Sequence, residues 1–298
     1  MLCCHNDAMA RIAIVGVGAI GAVLAGLLQS AEQHELILCT RRPLARLSVA
    51  TPEGEINVKY TNLTDPAQVG AQAVDWVVVA TKTYDAAGAG AWLERLCAQG
   101  SPVAVVQNGV EHRERFAPYV AAEQIVPVII DCPAERRTPE IVHQRGPAEL
   151  FLQSDERGRS FAALFQGSAA EITLTGDFLS AAWRKLCINS AGSISALLGK
   201  PSGVFRGEAV GNVTVEVVRE CAAVGRAIGA VLDEDLAEKV LAQYRKYPPD
   251  SVNSLLADRL AGRPMETDAR IGVIVRYGQR HHVATPRNGL LLALLEAL

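Results

Sequence analysis

The eleven residues RIAIVGVGAIG, positions 11–21, restrict the fold more than any other stretch of this chain. A short apolar run ends in Gly16, and Gly16, Gly18 and Gly21 fall in the spacing G-x-G-x-x-G. A helix-forming stretch of small and apolar residues follows at once. Each glycine has a separate duty in such a turn. The first permits the sharp exit from a strand, the second lets backbone approach a pyrophosphate, and the third lets helix and strand pack closely. The helix start then presents unpaired N–H groups to phosphate. The motif alone is a weak signal. Its position at the first strand-to-helix turn is the context that makes it a dinucleotide site, formed here by Gly16, Gly18, Ala19, Ile20 and Gly21.

The rest of the chain extends that opening. Strands are expected at residues 35–40, 75–81, 102–107, 124–131 and 171–175. The runs at 75–81 and 102–107 are continuously apolar, as strands covered on both faces are. Residues 55–60 alternate, which suits a small hairpin. Residues 141–145 and 149–153 read as an antiparallel pair about Gly146-Pro147, and helices are expected at 85–98 and 159–167. After Gly176 the strand signals stop. Helical period then runs through residues 181–198, 207–229, 235–245, 251–261, 267–280 and 286–298. The fold class is therefore α/β: a Rossmann-type doubly wound sheet followed by an all-α C-terminal domain. The expected boundaries are a tail at 1–10, a nucleotide-binding domain at 11–177 and a helical substrate or dimerisation domain at 178–298. The tail leaves Met1 and Met9 as alternative starts.

Composition narrows the class of function. The net charge of −3 carries no basic excess for nucleic acid or an anionic membrane. At 5% aromatic residues, a base-stacking platform is not expected either. The seven cysteines include no C-x-x-C pair, so neither a disulfide framework nor a metal site is expected. No apolar run reaches the roughly 18 residues of a membrane span, and no signal peptide is recognisable, which leads to a cytoplasmic protein.

The end of the second strand selects the cofactor. An NAD site commonly places Asp or Glu there for the ribose hydroxyls. This chain has Thr40, Arg41 and Arg42. A guanidinium can hold a 2′-phosphate bidentately where a carboxylate would repel it. Arg41 is thus the candidate clamp, Arg42 its helper, and NADP(H) the expected cofactor; two solvated loop arginines are the alternative. Strands ending at Thr81-Lys82 and Gln107-Asn108-Gly109 bring polar groups to the carboxyl edge of the sheet, where open α/β folds bind ligands. Lys82 is equally readable as a solvated loop lysine, and Asn108-Gly109 as a plain turn.

In the first long helix after Gly176, Lys185, Asn189 and Ser193 stand at i, i+4 and i+8, along one stripe. Such a stripe lines either a polar cleft or a solvated face. Carbonyl reduction would use it as a cleft. Hydride arriving at a ketone carbon leaves charge on oxygen, and a lysine supplies both cation and proton. Glu266 is a candidate to position lysine or substrate, or else a helix-start acid favoured by the dipole. Ser254 contacts substrate or solvent.

In order, the motifs GVGAIG, TRRP, ATK, VQNGV, WRKLCIN, SLLADRLAGRPMETD and TPRN resemble those of the ketopantoate reductase family over nearly the whole chain after Ala10. WRKLxxN and the S…D…GRPxExD stretch are the specific ones. The resemblance implies NADPH-dependent reduction of the small 2-oxo acid 2-dehydropantoate to pantoate, a step toward coenzyme A. It implies Lys185 as general acid, Glu266 on the substrate hydroxyl, and Asn108 near both nicotinamide and substrate. It further implies Asn189 and Ser254 as substrate contacts, Lys82 at the cofactor and Arg41 on the 2′-phosphate. Two positions depart from the pattern: Ser193 and Ser202 stand where the family commonly has asparagine. These departures open the alternative of a different 2-oxo acid, and a non-catalytic NADP-binding role is the further one. A homodimer through apolar helices such as 290–298 is a possible assembly.

Overall fold

The computed structural model describes residues 9–31 and 34–298. The expected tail lies outside them through residue 8, as do Met1, Cys3 and Cys4. The chain divides into two bodies. One comprises the described residues up to Gln107 together with His112–Gly176. The other comprises Asn108–Glu111 and Asp177–Leu298.

The first body opens with β1 (Arg11–Val15), α1 (Ala19–Ser30) and β2 (Glu35–Cys39). Three short strands follow: β3 (Ser48–Thr51) and β4 (Gly54–Asn57), which pair with each other, and β5 (Thr61–Leu63), which joins the main sheet beside β2. Next come β6 (Trp76–Val79), α2 (Ala86–Leu96), β7 (Val103–Val106), α3 (His112–Phe116) and β8 (Ile125–Asp131). The body closes with β9 (Ala134–Arg136), β10 (Ile141–Gln144), β11 (Ala148–Gln153), α4 (Glu156–Ala163) and β12 (Ala170–Thr175). The main sheet has the order β12-β11-β8-β7-β6-β1-β2-β5. From β8 to β5 every pairing is parallel. Strand order therefore reverses between β1 and β6, which is where doubly wound sheets bind their ligands.

The period-two pattern of the strands builds a core on each face of this sheet. Ile12, Ile14, Leu36 and Leu38 pack with Leu24, Leu27 and Phe161 on one side. Ala13, Val15, Ile37 and Val79 pack with Leu93, Leu96 and Phe116 on the other. Both sets are buried, which accounts for the unbroken apolar runs in the sequence.

The expected pairing of residues 141–145 with 149–153 is corrected. β10 pairs with β3 and β9 in a separate four-stranded sheet. β11 instead lies antiparallel to β8 and parallel to β12. Leu150 and Leu152 alternate into the main core, and that burial draws β11 to the large sheet. The hairpin expected to involve residues 55–60 is formed by β4 pairing antiparallel with β3, and the strand ends at Asn57.

The second body is helical: α5 (Phe178–Leu198), α6 (Glu208–Ala227), α7 (Leu236–Lys246), α8 (Ser254–Leu260), α9 (Val273–Arg280) and α10 (Pro286–Glu296). Asp177 caps α5 by accepting from the Ser180 amide at 3.1 Å, and Gly199, at φ +64°, ends it in a left-handed turn. Trp183, fully buried, meets Tyr277 edge-on at 5.9 Å. Gly225 leaves room for the indole, since a Cβ there would lie 3.1 Å from it. One π-helical turn (Asp268–Gly272) leads into α9. No helix among the described residues is long and apolar enough to cross a membrane.

Candidate active site

At the amino end of α1 the glycines occupy three different environments. Gly16 has φ +91°, and a Cβ on it would sit 2.5 Å from Thr81 Cγ2, so backbone strain and space both demand glycine. A Cβ on Gly21 would lie 2.1 Å from the Gly16 carbonyl oxygen. Around Gly18 nothing lies within 4 Å of such an atom. No side chain caps α1, and its first turn holds no acid. An open, uncapped helix start beside a packed turn is the shape that a pyrophosphate fits.

Arg136 of β9, which no sequence pattern singled out, lies behind this turn. Its Nη2 donates to the Val17 carbonyl at 2.5 Å and to the Gly18 carbonyl at 3.4 Å, and its Nη1 donates to the Pro139 carbonyl. Its Nε is buried without a partner, and burial pushes its pKa down.

Beyond β2, Arg41 and Arg42 are exposed. The loop that carries them is tied to β5. Asn62 Nδ2 donates to Leu38 O and Thr40 Oγ1, both at 2.8 Å, and the Leu44 amide donates to Asn62 Oδ1 at 2.8 Å. Lys82 directly follows Thr81 and precedes a short helical turn at Thr83–Asp85. Gln107 locks the ends of β6 and β7 together, its Nε2 donating to Thr81 O at 2.9 Å and to Thr81 Oγ1 at 3.0 Å.

In the helical body, Asn108 joins two residues remote in sequence. Its Nδ2 donates to Glu266 Oε2 at 3.0 Å, and its Oδ1 accepts from Asn189 Nδ2 at 3.4 Å. The two contacts fix which way the amide faces. Gly109, at φ +91°, lets the chain turn against the Ala269 carbonyl, which a Cβ would approach to 2.9 Å. The segment is then anchored by Glu111. Arg276 donates to it through Nη2 at 2.6 Å and through Nε at 3.3 Å, and also binds Asp268. Burial opposes the charge on Arg276, but the Asp268 and Glu111 carboxylates outweigh it and hold its pKa above the ordinary arginine range.

Lys185 is half-buried on α5, one turn before Asn189. Glu266 is 4% exposed. Ser254 begins α8 and is exposed, with its Oγ accepting from Arg270 Nη2 at 2.7 Å. Ser193 lies on the expected stripe but is completely buried, and its hydroxyl donates back to the Asn189 carbonyl at 3.2 Å. Ser202 is similarly buried, bonded to the Ser251 carbonyl. The structure therefore brings Asn108, Asn189 and Glu266 together and turns the two serines inward.

A parallel sheet with an open glycine turn, followed by a helical body carrying a polar cluster, is the build of a two-part oxidoreductase. The chain belongs to the ketopantoate reductase PanE/ApbA family: its family model matches residues 12–156, and the model of the family's C-terminal part matches residues 177–298. The 2-dehydropantoate 2-reductase of Caulobacter vibrioides is 45% identical over 289 residues, covering 97% of this chain and 99% of that one. The solved 2-dehydropantoate 2-reductase of Geobacter metallireducens superposes with a TM-score of 0.88 at 27% identity, covering 96% and 99% of the two chains. A D-mandelate dehydrogenase solved with NADH and anilino(oxo)acetate shares the fold alone, with a TM-score of 0.85, 21% identity and 96% and 97% of the chains covered.

Proposed function

We propose that this protein reduces 2-dehydropantoate to pantoate with NADPH, a step of pantothenate synthesis. The observation that carries this reading is the Asn189–Asn108–Glu266 hydrogen-bonded chain, one helical turn from Lys185. It comes on a chain 45% identical, over nearly its whole length, to a 2-dehydropantoate 2-reductase.

NADPH, when bound, supplies the hydride. Gly16, Gly18, Ala19, Ile20 and Gly21 would hold its pyrophosphate, Arg41 its 2′-phosphate, and Lys82 and Asn108 its further polar groups. The arginines support NADPH over NADH because β2 ends without a carboxylate. Lys185 places its ammonium beside the ketone oxygen and transfers a proton from Nζ as charge develops there. The neutral amine is then reprotonated from solvent. Asn108 orients the reacting carbonyl, and Asn189 steadies Asn108. Glu266 accepts from the substrate hydroxyl, and Ser254 donates to the carboxylate. Ser193 and Ser202 back the pocket as buried, self-satisfied hydroxyls rather than as direct contacts.

A different 2-oxo acid is the second reading: Ser193 and Ser202 spend their hydroxyls on backbone carbonyls, which leaves the pocket without the hydrogen bonds that asparagines there would offer, and such bonds decide between similar acids. NADPH oxidation with a panel of 2-oxo acids separates the two: the highest kcat/KM falls on 2-dehydropantoate under the first reading and on another acid under the second. In α10, Leu290 and Leu294 stand exposed at i and i+4, 58% and 45% exposed, and Leu298 just past the helix end is exposed as well. They support pairing of two copies, which sedimentation would register as a doubled mass.

A further inference from the structure

Arg270 is a buried cation set directly behind Ser254. It is 3% exposed and lies in the π-helical turn, four residues after Glu266. Its Nη2 donates to Ser254 Oγ at 2.7 Å, and its Nε is buried without any partner. Among the described residues it forms no ion pair. Glu266 Oε2 accepts from Asn108, while Asp268 binds Arg276 on the other side. A buried charge without a counter-ion is costly to retain unless an anion arrives to meet it.

The arrangement defines what that anion meets. The guanidinium N–H occupies one lone pair of the Ser254 hydroxyl, so the hydroxyl's own proton is free to point away from Arg270. Ser254 is exposed at the start of α8. That position is held independently. Asn253 Oδ1 accepts from the Leu255 and Leu256 amides at 3.0 Å, and Asn253 Nδ2 donates to the Gly192 carbonyl of α5 at 3.0 Å. A serine hydroxyl polarised from behind by a buried guanidinium donates a stronger hydrogen bond to a carboxylate than a lone serine does.

We infer that Arg270 is a positioning residue that works through Ser254, making this hydroxyl an anion-selective contact for the substrate carboxylate. The selection is by charge: a 2-oxo or 2-hydroxy acid is preferred over a neutral amide of the same shape. The inference rests on the proposed reading of Ser254 as a substrate contact.

The test is calorimetric binding of pantoate and of its neutral isostere pantoamide to the NADP⁺-loaded protein. Wild-type protein should bind the acid on the order of 10- to 100-fold more tightly, the range spanned by a charge-assisted hydrogen bond. Arg270→Gln should lose that preference while binding pantoamide within about twofold of wild type, and Arg270→Lys should keep most of it. If Arg270→Gln fails to fold, as a thermal melt would show, Ser254→Ala on the surface reads the same contact and should also lose the preference. A merely structural role would weaken acid and amide together. That result, or wild-type protein that binds both alike, overturns the inference. Failure of the proposed reaction looks different: no turnover of 2-dehydropantoate, with the acid preference still present and still dependent on Arg270.

Discussion

Asn108 and Glu266, 158 positions apart in the chain, share a 3.0 Å hydrogen bond from Nδ2 to Oε2. With Asn189 on the other side of the amide, the pair fixes the direction of each polar group. Glu266→Gln keeps a hydrogen-bond acceptor but removes the charge that would take up the substrate hydroxyl. We predict a loss in kcat/KM of about 10²-fold or more with the fold unchanged. Steady-state kinetics beside a circular dichroism spectrum checks this.

Arg41 is exposed on a loop that Asn62 holds in place, so its removal should leave the fold intact. Arg41→Ala should weaken NADPH about 10- to 100-fold, the scale of a charge-assisted contact, while NADH affinity stays within about twofold. Fluorescence titration with each cofactor measures both. Equal losses for the two would contradict an arginine on the 2′-phosphate.

Arg136 supports the glycine turn from behind. Arg136→Met would leave the half-buried Val17 carbonyl without this donor, at a cost of about 1 kcal/mol, the net worth of one hydrogen bond. The expected result is a raised KM for the cofactor with little change in kcat. Gly21→Ala should be harsher, because its Cβ would lie 2.1 Å from the Gly16 oxygen. Cofactor binding should then be lost outright in titration.

Burial raises the thiols of Cys39, Cys97 and Cys132 from 9.0 to about 12. The neutral thiol is favoured in the folded state. The stability this contributes is therefore complete below pH 9 and is lost as pH climbs toward 12. At pH 8 the thiolate fraction is about 10⁻⁴, so iodoacetamide should leave these three unmodified until denaturant is added. Peptide mapping by mass spectrometry reads each one.

Much of the fold is legible in the sequence. The run at residues 11–21 carried the parallel sheet, and the halt in strand signals after Gly176 announced the helical half. Short strands such as β5 and β9 left no pattern, because three residues carry too little periodicity. The β10–β11 turn imitated a hairpin. Which sheet accepts β11 depends on where Leu150 and Leu152 find a core, and a local window cannot show that. In the site, Lys185, Asn189 and Ser193 shared a stripe as the spacing required, yet only tertiary packing reveals that Ser193 is sealed inside. Arg136 and Arg270 were silent for the same reason. Their meaning comes from the carbonyls and the hydroxyl that the fold sets beside them.

The most direct test follows NADPH oxidation with 2-dehydropantoate, comparing wild-type protein with Lys185→Ala. The account predicts steady turnover by the wild type and a fall in kcat of about 10²- to 10⁴-fold in the variant, the range of a lost general acid, with NADPH binding retained. Unchanged turnover in Lys185→Ala would remove the lysine from the chemistry. No turnover by wild-type protein that still binds NADPH would contradict the proposed reaction itself.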